Sequence, residues 1–321
     1  MLMNRAVEWL LCMAVALGMT VGSAHAQPQV PGQWAMEAAV ASYAAYYSDQ
    51  ATRREILASQ GLSEVMYEEL GDQEVLIARA LAENVMFVAF AGTDMSDESD
   101  FQTDLSTELV EPSELATLNC AGRNCLVHKG FDALVSRFRS SRIGYYALNA
   151  SGRGSARLVV TGHSLGGALA QLTAAYWRQA SQFDRVITFG APMVGNQGFR
   201  DTYGADQRLV ERTHRWVADG DPATRYPRFF PTRPEDNTRP LAKDGADYRE
   251  AGLTHLLTCS RASRYCDNGT VAWNLTAFDT RVQERYTGTF DYTNPGLHAL
   301  KHYIEVVSEV TGVSMPNYNF E

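Results

Sequence analysis

Hydrophobic positions in this chain fall either into compact runs or into helical spacings. Glu74–Ala80 and Met86–Ala91 are short apolar runs parted by a polar turn at Glu83-Asn84, and they predict two strands. Arg157–Thr161 predicts a third strand, and Arg185–Gly190, which runs into Ala191-Pro192, a fourth. Leu209–Val217 predicts one more. Residues 34–48, rich in Ala, Tyr and Val, have helical composition, as does Ala168–Ala175, and Lys301–Val310 predicts a closing helix. Helices alternating with apolar strands imply an α/β domain, with a mostly parallel central sheet covered by helices on both faces. Pro231–Pro295 is the least regular stretch, polar and at first dotted with proline. It is expected to be a loop-rich insertion over the sheet edge or over a site. No repeat or low-complexity tract is present.

The 321 residues suit one large domain with a substantial core. Residues 1–26 read as a secretory signal: Arg5 near the start, an apolar run from Trp9 to Val21, and Ala24-His25-Ala26 as a small-x-small cleavage site. The run is too short to span a bilayer. Cys12 lacks the small residue that normally precedes a lipidated cysteine, so release is expected rather than anchoring. That leaves residues 27–321 as a single domain. Arg5 and Glu8 cancel, so the mature chain keeps the net charge of −9. This argues against nucleic acid as a partner and against general attraction to anionic membranes. The cysteines left after cleavage, Cys120 with Cys125 and Cys259 with Cys266, form two sequence-close pairs. In an exported protein these read as two local disulfides, and neither pair has the spacing of a zinc site.

The chemistry centres on Gly162-His163-Ser164-Leu165-Gly166, which lies directly between a predicted strand and a helical stretch. G-x-S-x-G in that setting is a nucleophile elbow: the serine sits on a strained turn, and the glycines let strand and helix approach closely. A serine hydroxyl needs a base to take its proton and a carboxylate to orient that base. In elbow proteins both follow the serine, acid before histidine. Among His214, His255, His298 and His302, His298 is preferred, because it stands just before the closing helix, where a mobile imidazole reaches the sheet edge. Asp219 and Asp221 both follow the strand ending at Val217. Asp221 is preferred, because Pro222 stiffens its loop. The main-chain N–H of Leu165 and that of Thr93, after the apolar run Phe87–Ala91 and Gly92, are the candidate oxyanion donors.

Several segments, in order, resemble the class 3, fungal-type lipase family of α/β-hydrolases. They are Phe90-Ala91-Gly92-Thr93, Val127-His128-Lys129-Gly130-Phe131, the elbow from Gly162 to Gly167, Thr188 to Asn196, Asp221 to Pro227, and His298 with Tyr303. The resemblance implies the α/β-hydrolase fold and a triad of Ser164, Asp221 and His298, with Thr93 and Leu165 as oxyanion donors. It implies a secreted serine carboxylester hydrolase that needs no metal or organic cofactor and acts on a small-molecule or lipid ester, with transient contact at a lipid interface. A triacylglycerol lipase or esterase is the leading expectation. Phospholipase A1 and aryl or feruloyl-type esterase are the alternatives, and a non-catalytic binding module is a further one. Two departures stand out. Ala91 occupies a position where the family usually has arginine. The segment Asp94–Leu105, where the family has its lid, places five acids around Met95, Phe101 and Leu105. So acidic a lid is repelled by anionic lipid, which favours soluble or loosely packed esters.

Overall fold

The computed structural model describes residues 32–80, 82–93, 107–120, 122–152, 156–178, 183–221, 223–227, 248–259, 273–279 and 298–320. The expected signal segment and the expected lid at 94–105 lie outside the described residues. In chain order the elements are α1 (Gly32–Ala44), α2 (Gln50–Ala58), β1 (Leu62–Glu69), β2 (Glu74–Ala80), β3 (Val85–Phe90), β4 (Leu109–Val110), α3 (Leu115–Leu118), β5 (Val127–His128), α4 (Lys129–Ser140) and α5 (Arg142–Gly152). They continue as β6 (Arg157–His163), α6 (Leu165–Trp177), β7 (Phe183–Phe189), β8 (Gly195–Asn196), α7 (Gln197–Ala205), α8 (Gln207–Arg212), β9 (Thr213–Ala218), β10 (Tyr248–Arg249), β11 (Leu253–Cys259), β12 (Trp273–Asp279) and α9 (Leu300–Thr311).

Eight strands form one sheet in the order β1-β2-β3-β6-β7-β9-β11-β12. The five from β3 to β11 run parallel, and the antiparallel pairs lie at the two edges. Alternate residues of β2 and β3 feed opposite faces. Val75, Ile77, Met86, Val88 and Phe90 pack with α4, α5 and α6 on one side, and Leu76, Ala78, Phe87 and Ala89 pack with α1 and α9 on the other. A strand buried on both faces must be apolar at every position, which is why these segments read as continuous runs. Helix α6 is buried along its whole length and α1 along nearly all of it. Both therefore lack a polar stripe, and their uniform hydrophobicity reflects core position rather than membrane insertion.

Two expectations need correction. The predicted strand Leu209–Val217 is divided: Asp206 caps α8 by accepting from the Leu209 N–H at 3.2 Å, and the strand begins only at Thr213. Leu209 and Val210 are buried in either conformation, so hydrophobicity alone could not separate them, whereas the cap could. The stretch Pro231–Pro295 is not all loop, since it holds β10, β11 and β12. β11 pairs in parallel with β9, and β12 closes that edge of the sheet. Its polar positions are absorbed inside the fold: Thr254 and His255 are buried, and Gln171 of α6 donates to the Ala251 carbonyl at 2.6 Å. Cys120 and Cys125 are joined as expected. The expected pairing of Cys259 with Cys266 falls outside the described residues.

His214 and His255 lie side by side between β9 and β11, ring nitrogens 2.8 Å apart. Burial lowers the pKa of both, His255 to about 4, and holds His163 well below the usual histidine range. Unfolded, each ring takes up a proton below about pH 6.5, and folded it does not. The stability these rings contribute is therefore complete above about pH 6.5 and declines as pH falls toward the folded values, by up to about 1.4 kcal/mol per pH unit per ring. Glu37 and Asp219, whose pKa values burial raises, act in the opposite sense at lower pH. We expect the urea midpoint to fall between pH 7.5 and pH 5, and His255→Gln to flatten that decline. A midpoint that rises on acidification would contradict this balance.

Candidate active site

Ser164 stands between β6 and α6 with φ 54° and ψ −129°, a backbone conformation that costs a residue with a side chain about 1–3 kcal/mol. Neighbouring bonds hold it there. Its N–H donates to the Phe189 carbonyl at the end of β7 (3.0 Å), and its own carbonyl accepts from Gly167 (2.9 Å) and Ala168 (3.3 Å). A Cβ on Gly162 would collide with the backbone of Gly166, and one on Gly166 with the carbonyls of Phe90 and Ala91. Both glycines thus serve close approach of helix to strand. Leu165 opens α6, where main-chain N–H groups have no intrahelical acceptor and the helix dipole favours negative charge.

Two later segments meet at this serine. The His298 Nε2 lies 2.9 Å from the Ser164 Oγ, and the His298 Nδ1 lies 2.9 Å from each oxygen of Asp221. The carboxylate can only accept, so Nδ1 carries the proton and Nε2 is left to accept from the serine hydroxyl. All three residues are buried. Asp221 also accepts from the Ala223 N–H at 2.9 Å and from the Tyr303 hydroxyl at 2.6 Å, while the Tyr303 oxygen accepts from the Ala218 N–H at 3.0 Å. The alternatives weighed from sequence lie elsewhere. Asp219 has its N–H on the Leu257 carbonyl and its carboxylate facing Arg225, His214 and His255 bond each other, and His302 is buried on α9.

Thr93, half-buried, follows Gly92 just beyond β3. A Cβ on Gly92 would crowd the Tyr46 hydroxyl, the His163 carbonyl (2.8 Å) and the Ser164 Cβ (3.0 Å), so this segment passes directly against the nucleophile. Gly92 thus serves this close approach.

Sequence reasoning missed a second polar chain. His163 Nδ1 lies 2.8 Å from the Tyr46 hydroxyl, and Nε2 lies 2.6 Å from the carbonyl of His298. Burial foremost, with His298 next to it, keeps His163 neutral, so its single N–H donates to that carbonyl and Nδ1 accepts from Tyr46. The His298 main chain is therefore tethered, where the sequence suggested a mobile residue. Nothing in the spacing marks Tyr46, which follows α1 among several tyrosines. His128 has a local role: its Nδ1 accepts from the N–H groups of Gly130 and Phe131 (3.1 and 3.3 Å) and caps α4, and its ring stacks on Phe131.

Residues 87–230, which carry the Gly92-Thr93 segment, the elbow and Asp221, match the model of the family described as lipase (class 3). Over this segment the chain is similar to class 3 lipases. A secreted mono- and diacylglycerol lipase of Fusarium solani is 30% identical over 170 residues, which are 51% of this chain and 48% of that protein. The chain thus spans about half the length of this curated relative. Lipase II from Rhizopus niveus superposes with a TM-score of 0.57 at 15% identity, covering 84% of this chain and 92% of that one. The Rhizomucor miehei lipase propeptide complex gives 0.55 at 17%, covering 88% and 80%. At such identities these structures establish the fold alone, the α/β-hydrolase fold with its mostly parallel sheet.

Tyr303 grips both the Asp221 carboxylate and the end of β9. We expect Tyr303→Phe to lower kcat about tenfold through a less constrained Asp221, and to destabilise the fold by about 1–3 kcal/mol through the orphaned Ala218 N–H. Steady-state kinetics and thermal unfolding measure the two. Unchanged kcat would remove Tyr303 from the account of the site.

Proposed function

We propose that this chain is an exported serine carboxylester hydrolase acting on acylglycerol-type lipid esters. The supporting observation is the continuous hydrogen-bonded chain from Ser164 Oγ through both nitrogens of His298 to Asp221, at the carboxyl end of the parallel strands. The class 3 lipase match narrows the chemistry to ester cleavage, and the name of the Fusarium relative favours glycerides as substrate. The Cys120–Cys125 disulfide is in keeping with export.

In this mechanism the Ser164 oxygen attacks the ester carbonyl while its proton passes to His298 Nε2. Negative charge grows on the carbonyl oxygen, held by the main-chain N–H groups of Thr93 and Leu165. The tetrahedral adduct collapses by breaking the carbonyl–alkoxy bond, and the proton on Nε2 leaves with the alcohol. Water then attacks the acyl-serine, gives its proton to Nε2, and releases the acid as that proton returns to Ser164. Asp221 holds the histidine tautomer throughout, while the ring carries positive charge between transfers.

Fluorophosphonate labelling and ester turnover test this directly. Ser164→Ala should abolish labelling and lower kcat by about 10⁶, and Asp221→Asn should lower kcat by about 10⁴ with the fold intact. His298→Ala should match the serine variant, and His302→Ala should retain turnover. An unmutated chain that neither labels nor hydrolyses p-nitrophenyl esters or emulsified diglycerides would overturn the proposal and leave a non-catalytic binding module. The chain-length profile across p-nitrophenyl esters, followed by glyceride against phospholipid, separates the lipid-ester reading from aryl esterase and phospholipase.

A further inference from the structure

We propose that Gln73 is a positioning residue that fixes the main chain delivering Thr93 to the oxyanion site, an inference that rests on the ester-hydrolase reading. Gln73 lies in the turn between β1 and β2, only 3% exposed. Its Nε2 donates to two carbonyls at 2.9 Å, that of Glu74 and that of Ala91, while the Ala91 N–H donates to the same Glu74 carbonyl at 3.1 Å. Ala91 is the point at which β3 loses its neighbours. Pairing with β2 runs as far as Val75 opposite Phe90, and pairing with β6 as far as Phe90 opposite Gly162, after which β6 turns into the elbow. The ladders no longer reach the buried Ala91 carbonyl, and a buried carbonyl must find a partner. The Gln73 amide supplies one.

The consequence follows from the planarity of the peptide unit. Holding the Ala91 oxygen sets the plane that carries the Gly92 N–H, and so the direction in which Gly92 and Thr93 leave the strand. On its other side the oxygen meets the first turn of α6, since a Cβ on Gly166 would stand 2.5 Å from it. The carbonyl is therefore pinned between an amide and the helix that begins beside Ser164, and both proposed oxyanion segments are referred to one point. Gln73 acts entirely through this carbonyl.

Two isosteric variants and one double mutant, each on active-site-titrated enzyme, test the proposal. Gln73→Met keeps the side-chain length without donors and should lower kcat about 10- to 30-fold with KM within about twofold, less than the 10²–10³ typical of losing a whole donor. Gln73→Glu should show a similar deficit at pH 8 that narrows several-fold, relative to the unmutated chain, at pH 5.5. Burial against two carbonyl oxygens raises the pKa of that carboxyl, so on acidification it regains a proton and with it a donor for the Ala91 carbonyl. Thr93→Ala keeps the main-chain donor but strips the half-buried side chain that helps seat the same segment, so combined with Gln73→Met the losses should be less than multiplicative, as expected for groups acting on one element. An unaltered kcat in Gln73→Met, a Gln73→Glu deficit that does not change with pH, or strictly multiplicative losses would overturn the inference. If the methionine variant does not fold, the pH ratio and the double mutant decide. An unmutated chain that neither labels nor turns over sinks the underlying reading instead, whereas an active chain indifferent to Gln73 sinks only this inference.

Discussion

The backbone of Ser164 takes up a left-handed angle that its side chain makes costly, and it does so because α6 approaches β3 and β6 more closely than side chains allow. Without Cβ atoms at Gly162 and Gly166, the first turn of the helix rests on strand carbonyls. This contact sets where the serine hydroxyl stands, aims the free N–H groups of the helix at the same place, and brings the end of β3 alongside. Longer side chains at the elbow would push α6 outward, and Ser164, the helix dipole and the proposed oxyanion segment would move apart together.

Polar groups then fix what packing leaves free. A buried imidazole can turn about its side-chain bonds, and here both its faces of attachment are held. The ring bonds Asp221 and Ser164, and the backbone carbonyl bonds His163, itself set by Tyr46. Because His163 is kept neutral by burial, its one proton has one destination, and the direction of the chain from Tyr46 to His298 is unambiguous. The neighbouring imidazole of the proposed triad can therefore gain and lose a proton without a second histidine competing for it.

What could be read from the sequence divides along physical lines. Strands β3, β6 and β7 were visible because burial on both faces forces unbroken apolar runs, and the elbow because close approach and a strained turn demand glycine and serine at fixed spacing. The split between α8 and β9 was hidden, since Leu209 and Val210 are buried as helix or as strand and only the Asp206 cap distinguishes the two. β11 was obscured because Thr254 and His255 make it look polar, and their partners come from distant segments. The same holds at the site: Ser164, Asp221 and His298 follow from chain order and local motif, whereas Tyr46 and Gln73 act through tertiary hydrogen bonds that leave no local pattern.

The position of His298 shows why chain order points to the proposed acid and base but not to their support. Asp221 follows β9, and before the chain returns it adds β11 and β12 to the sheet, so among the described residues no ladder hydrogen bond links the acid to the histidine. The return is registered instead by α9. His298 lies two residues before its first turn and Tyr303 within it, and both reach Asp221, one from Nδ1 and the other from its hydroxyl. Helix α9 packs against α1, the helix that leads into Tyr46, and Tyr46 in turn orients His163 on the His298 carbonyl. Two adjacent helices on one face of the sheet thus hold His298 from both sides.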